Sequence, residues 1–157
     1  MPPAISRGFA DLDVWTGCRG VPLGAITLLT GPSTSGKLAV AYKTLAAGWQ
    51  NGCHPVALID LIHSTDPDYL VRCGVDLAHL LLVRPGPETQ IDTLVLDLVR
   101  SRHLRLLLVD SLADLPPRMV ARWAQGLDGV TVPIYGPEKT TCSSSAVGWG
   151  WMWPWKS

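Results

Sequence analysis

Three groups of residues have types and spacings that chemistry can use. The first, Gly31-Pro32-Ser33-Thr34-Ser35-Gly36-Lys37, matches G-x-x-x-x-G-K. A turn of this kind between a strand and a helix points successive backbone N–H groups inward, forming an anion nest at the helix N-terminus. Lys37 then reaches the β- and γ-phosphates of a nucleotide. A chance Gly-rich turn is the plainer alternative; the apolar run before it and the helical stretch after it favour the phosphate loop. The next position ordinarily supplies a Ser or Thr hydroxyl to Mg2+. Here it is Leu38, which has no oxygen to offer, so magnesium placement is weakened. The second group is Asp110-Ser111, closing the apolar run Leu106 to Val109 about 70 residues after the loop. An apolar strand ending in Asp is common, but one that follows a phosphate loop at this spacing suits an Asp that holds Mg2+ through water. The third is the basic cluster Arg100, Arg102, His103 and Arg105. It suits a nucleic-acid or partner contact, but its spacing favours the cations that complement a helix C-terminus.

These groups need a scaffold, and the apolar segments supply one. Gly24 to Thr30, Val56 to Asp60, Leu80 to Val83, Leu106 to Asp110 and Val130 to Tyr135 read as strands. Lys37 to Gln50 has helical composition and stops at Asn51-Gly52. Asp66 is a helix cap with Pro67 at the first position, in a helix ending at Gly74. Glu88 to Arg102 places Ile91, Leu94, Val95 and Leu98 on one helical face, and Met119 to Gln125 reads as a short helix. Continuous apolar strands alternating with helices predict an α/β fold, with a mainly parallel sheet covered on both faces.

The composition narrows the classes further. The chain has 157 residues, 47% hydrophobic and 17% charged, which is too apolar for disorder and enough for one domain with its own core. Thirteen basic residues balance thirteen acidic ones, so bulk charge gives no argument for a polyanionic partner. Cys18, Cys53, Cys73 and Cys142 form no C-x-x-C pair, and the four histidines add no metal-ligand spacing. The thiols read as reduced and the chain as cytoplasmic, with no membrane span and no leader at Met1-Pro2-Pro3-Ala4. After Gly136 the composition changes. Residues 137–157 read as a tail, polar from Thr140 to Ser145 and then holding Trp149, Trp151, Trp153 and Trp155 at period two. Those rings suit base stacking, a protein partner or a membrane interface; a truncation or frameshift of a longer gene gives the same abrupt change.

In several stretches the chain resembles the bacterial RecA recombinase family. Ile5 to Asp13 is similar to the segment entering that family's ATPase core, and Gly20-Val21-Pro22-Leu23-Gly24 continues it into Gly31-Pro32 and Ser35-Gly36-Lys37. Asp66-Pro67-Asp68-Tyr69 with Gly74-Val75-Asp76 resembles the family's D-P-x-Y…G-V-D stretch, and Leu107 to Ala113 its second nucleotide motif. The match runs from about Ile5 to Pro117 in the family's order. It implies a RecA-like core over residues 1–136, an ATP site over Gly31 to Leu38, and Mg2+ at Asp110. It also implies that Asp66 bonds the adenine and Tyr69 stacks on it; a cap and a packing ring are their plainer roles, and both can hold together.

The departures are specific. The family's water-activating Glu falls on Ile62, which cannot polarise water. Asp60 starts from a different position, and His63 reads as a surface or capping residue. The polymerisation segment, the later strands and the C-terminal domain have no counterpart in the sequence. The first DNA-binding loop reads as deleted, since Leu115-Pro116-Pro117 runs almost directly into the Met119 helix, and Gly136 to Thr141 only faintly resembles the second. The expectation is a RecA-like ATP-binding protein of DNA recombination or repair with impaired hydrolysis, at most a weak DNA-dependent ATPase. The resemblance implies single-stranded DNA, a repair-protein partner or self-association as partners, while the missing polymerisation segment and DNA-binding loops argue against filament formation, ATP-driven strand exchange and tight single-strand binding. The alternative is a non-catalytic adaptor for a protein of repair or mutagenic DNA synthesis; a nonfunctional fragment is a third.

Overall fold

The computed structural model describes residues 4–17, 19–32, 34–101, 103–111, 115–125 and 132–136. Ser33, Cys18, Arg102 and the whole 137–157 tail, with its tryptophans and Cys142, lie outside the described residues. In chain order the elements are β1 (Ala4–Ile5), α1 (Ala10–Trp15), β2 (Val21–Pro22), β3 (Ile26–Thr30), α2 (Lys37–Gln50), β4 (Val56–Asp60) and α3 (Pro67–Arg72). A 3-10 turn (Leu77–His79) leads to β5 (Leu80–Val83), α4 (Ile91–Arg100), β6 (Leu106–Asp110), α5 (Pro117–Ala124) and β7 (Val132–Gly136).

Five strands form one parallel sheet in the order β3-β7-β6-β4-β5. β4 and β6 lie inside it and are buried at every residue, as their unbroken apolar runs require. Their alternate side chains feed two separate cores. Ala57, Ile59, Leu107 and Val109 pack with Val95, Val99 of α4 and Val120, Trp123 of α5. Val56, Leu58, Leu106 and Leu108 pack with Ala41, Tyr42, Leu45 of α2 and Leu70 of α3. The expected α/β fold with helices on both faces is therefore the one observed. Among the described residues, no helix is long and apolar enough to cross a membrane.

Helix ends follow local chemistry. Asp66 caps α3, its side chain accepting from the Asp68 N–H at 2.9 Å, with Pro67 in the first turn. α4 is shorter than its periodicity predicts, because Gly86-Pro87 opens a turn in which the Thr89 N–H donates to the Gly86 carbonyl. The β1–β2 pair and α1 carry no periodic signal. They are held by Arg7, which donates to Asp13 at 3.2 Å, to Thr16 and to the Gly20 carbonyl. Cys53 and Cys73 are free thiols.

Candidate nucleotide site

The carboxyl ends of β3, β6 and β4 meet on one edge of the sheet, the place where open α/β sheets hold ligands. β3 runs into the loop Gly31 to Gly36. Gly36 has φ 77°, a left-handed conformation that glycine adopts without strain, and it caps the start of α2. Gly31 has φ 154°, which side chains rarely adopt, and a Cβ there would lie 2.9 Å from Ser35 Oγ, which would have to turn aside. The Ser35 N–H donates to the Pro32 carbonyl at 3.1 Å, and the Val40 N–H to the Gly36 carbonyl at 3.1 Å. Pro32, Thr34, Ser35 and Gly36 are exposed, and Lys37 is half-buried. Lys37 Nζ donates to the Gly31 carbonyl and, at 3.1 Å, to the Pro32 carbonyl. Leu38 turns into the core built on Tyr42 and Leu45, which accounts for an apolar residue there.

Asp110 ends β6 and is buried. Its Oδ1 has no hydrogen-bond partner. Burial, then the Asp60 charge, push its carboxyl up to about 6 from 3.8, with Lys37 pulling the other way. Asp60 lies directly beside it in register on β4. Burial also works against the Asp60 anion, but hydrogen bonds outweigh it: the Ser64 and Thr65 N–H groups donate at 3.0 and 3.1 Å and Arg84 Nε at 3.0 Å. The net effect holds Asp60 below the ordinary carboxylate range. Two adjacent strands thus end in one satisfied carboxylate and one unsatisfied one.

The segment after β4 leads to the other candidate residues. Ile62 is 53% exposed, on the surface rather than over the sheet end. His63 is exposed, with Nε2 3.1 Å from the Pro85 carbonyl oxygen. Asp66 caps α3 and pairs with Arg72 at 3.9 Å. The Tyr69 ring lies 5.8 Å from that of Tyr42 on α2, with the Arg72 guanidinium 5.7 Å over it. Tyr42 Oη is 3.4 Å from Thr65 Oγ1, and burial pushes its phenol up to about 12, so it stays a donor at neutral pH. Lys37 lies near enough to Asp110 for its charge to act on that carboxyl; Asp66 and Tyr69 attach through α3 to the side of α2. Sequence reasoning missed Arg84, Thr65 and Tyr42. The signal for Arg84 was a lone cation closing the apolar strand β5.

Among the described residues no three His, Cys, Asp or Glu side chains gather to hold a metal ion unaided. The orphaned Asp110 oxygen fits an outer-sphere acceptor for a hydrated cation that arrives with phosphates.

A family model described as the RecA N-terminal domain matches residues 3–126. The protein RecA of Rhizobium leguminosarum bv. viciae is 39% identical over 131 residues, covering 82% of this chain and 36% of that protein. The protein RecA of Clostridium tetani is 38% identical over 115 residues, 73% of this chain and 33% of that protein. The protein RecA of Pseudomonas putida is 36% identical over 116 residues, 74% of this chain and 32% of that protein. The chain spans about a third of the length of these curated relatives. The match takes in β1 through α5, with the Gly31–Lys37 loop following β3 and Asp110 ending β6, and the chain belongs to the RecA N-terminal domain family.

Proposed function

We propose that the chain binds ATP at the Gly31–Leu38 loop and serves DNA recombination or repair, hydrolysing ATP slowly or not at all. The observation that carries the reading is the orphaned Asp110 Oδ1 near Lys37 at the mouth of a phosphate-loop turn. A buried carboxylate oxygen without a partner costs roughly 1–3 kcal/mol or more, a cost that a ligand can offset. Gly31, Pro32, Ser33, Thr34, Ser35 and Gly36 cradle the phosphates, and Lys37 exchanges loop carbonyls for phosphate oxygens. Tyr69 and Asp66 face the base. Mg2+, when bound, would supply positive charge to offset that of the phosphates. Asp110 would hold that cation through water, and no hydroxyl comes from Leu38. Slow turnover follows from Leu38 and Ile62: one lacks a metal-binding oxygen and the other cannot take a proton from water. Asp60 is held by Arg84 and His63 faces Pro85, so neither replaces the missing base. Single-stranded DNA and further copies of the chain are the partners this reading implies.

Calorimetry with ATP, with and without Mg2+, on wild type and Lys37→Ala tests the proposal. Micromolar binding lost in the variant is expected, with turnover well below about 1 s⁻¹. No binding by the wild type overturns it.

The adaptor reading has one observation in its favour. Val14 and Trp15 on α1 are 74% and 86% exposed, an apolar pair suited to a protein contact. A polymerase-type partner retained by Lys37→Ala but lost on Trp15→Ser would select it.

A further inference from the structure

Three contacts tie the loop after β5 to the loop between β4 and α3. Arg84 Nε donates to Asp60 Oδ2 at 3.0 Å, and Arg84 Nη2 donates to the Thr65 carbonyl at 2.7 Å. His63 Nε2 lies 3.1 Å from the Pro85 carbonyl oxygen. One guanidinium therefore grips both ends of the 60–65 segment, which Asp60 closes further by accepting from Ser64 and Thr65. The two ends have different neighbours. Asp60 sits in register beside Asp110 at the phosphate end. Thr65 precedes the Asp66 cap of α3, whose Tyr69 packs on Tyr42. The Asp60 side chain is fully buried while that of Arg84 is 41% exposed, so the cation closes the loop from the solvent side. Only a planar fork makes both bonds at once.

We propose that Arg84 is a positioning residue for the nucleotide. Its guanidinium fixes the Asp60–Asp66 segment so that the base-facing groups of α3 keep a set distance from the phosphate loop. The inference rests on the ATP reading above and adds the residue that registers its two halves. Arg84 itself touches neither half of the ligand.

The test compares ATP with inorganic triphosphate, which has no base to register. Both are titrated with Mg2+ by calorimetry into wild type, Arg84→Gln and Arg84→Lys, with urea unfolding run alongside. The expected result for Arg84→Gln is ATP affinity about tenfold weaker and triphosphate affinity unchanged within about twofold. Arg84→Lys keeps the charge and loses the fork. It is expected to show the same split to a smaller degree, and it carries the test if the Gln variant fails to fold. Unchanged ATP affinity, or equal losses for the two ligands, overturns the assignment while leaving the ATP reading standing. A wild type that binds triphosphate but not ATP, or neither ligand, overturns the reading and the assignment together.

Discussion

Replacing Asp110 by Asn should stabilise the protein at neutral pH. The Asp110 carboxyl is pushed from 3.8 to about 6, first by burial and then by the Asp60 charge. A raised value means that the folded state prefers the protonated acid. Stability is therefore fully present below the unfolded value and is lost as pH rises through about 6. The displacement is about two pH units, and each unit is worth about 1.4 kcal/mol, so the ionised form costs about 3 kcal/mol. The residue is 1% exposed, so water does little to screen it. Asn is neutral throughout and escapes the cost. Urea unfolding followed by far-ultraviolet circular dichroism from pH 4 to 8, without Mg2+ or nucleotide, should show Asp110→Asn more stable by about 2–3 kcal/mol at pH 7.5 and no more stable near pH 4. In melting temperature this is a gain of roughly 5–10 °C for a chain of this size. Asp60 contributes the opposite pH dependence, its stability being lost as pH falls; because its charge and that of Asp110 repel, Asp110→Asn also relieves Asp60, which adds to the gain at neutral pH. A variant no more stable at pH 7.5, or equally advantaged at pH 4, would refute the argument that Asp110 is an uncompensated buried charge.

Leu38→Thr restores a hydroxyl after the phosphate-loop lysine. It should tighten Mg2+-dependent ATP binding about fivefold or more by calorimetry, while costing about 1–2 kcal/mol in urea unfolding from the lost packing of a half-buried leucine; unchanged metal dependence would place the defect elsewhere. Trp123 is fully buried and its indole Nε1 donates to Asp92 at 2.9 Å, bridging α5 to α4. Trp123→Ala should cost about 3–5 kcal/mol. Trp123→Phe, which keeps most of the volume and loses the bond, should cost about 1–2 kcal/mol by the same measurement; equal costs would mean that the hydrogen bond, not the ring, dominates.

The sheet was legible because its inner strands are buried on both faces. Val56 to Ile59 and Leu106 to Val109 carry that in their composition, and a parallel arrangement is the one that needs it. α2 and the Asp66-Pro67 start of α3 were legible for local reasons, a helix-forming run and a cap. What escaped was short or distant. β1 and β2 are two residues each, too short for any period, and pair only because Arg7 and Asp13 hold the intervening turn. Arg84 reaches Asp60 across 24 residues and Trp123 reaches Asp92 across 31. No local pattern encodes such bonds; they exist only once the sheet has aligned the strand ends. The carboxylate at 110 could be picked out from its strand. That Asp60 is satisfied and Asp110 is not depended on which of two neighbours Arg84 reaches.

The position of β7 has a consequence for how the protein is made. β7 is the last strand described, yet it lies between β3 and β6, and among the described strands it is the sole partner of β3. The family match stops at residue 126, before β7 begins. During synthesis β4, β5 and β6 can associate as they emerge, while the strand carrying the phosphate loop waits for residues 132–136 to leave the ribosome. That pairing spans more than a hundred residues, the kind of non-local contact that slows folding and leaves apolar edges open meanwhile. A chain cut before residue 132 should then be protease-resistant in its β4–β6 half and open at the Gly31–Gly36 loop, so the ATP binding proposed above would arise only once β7 is in place.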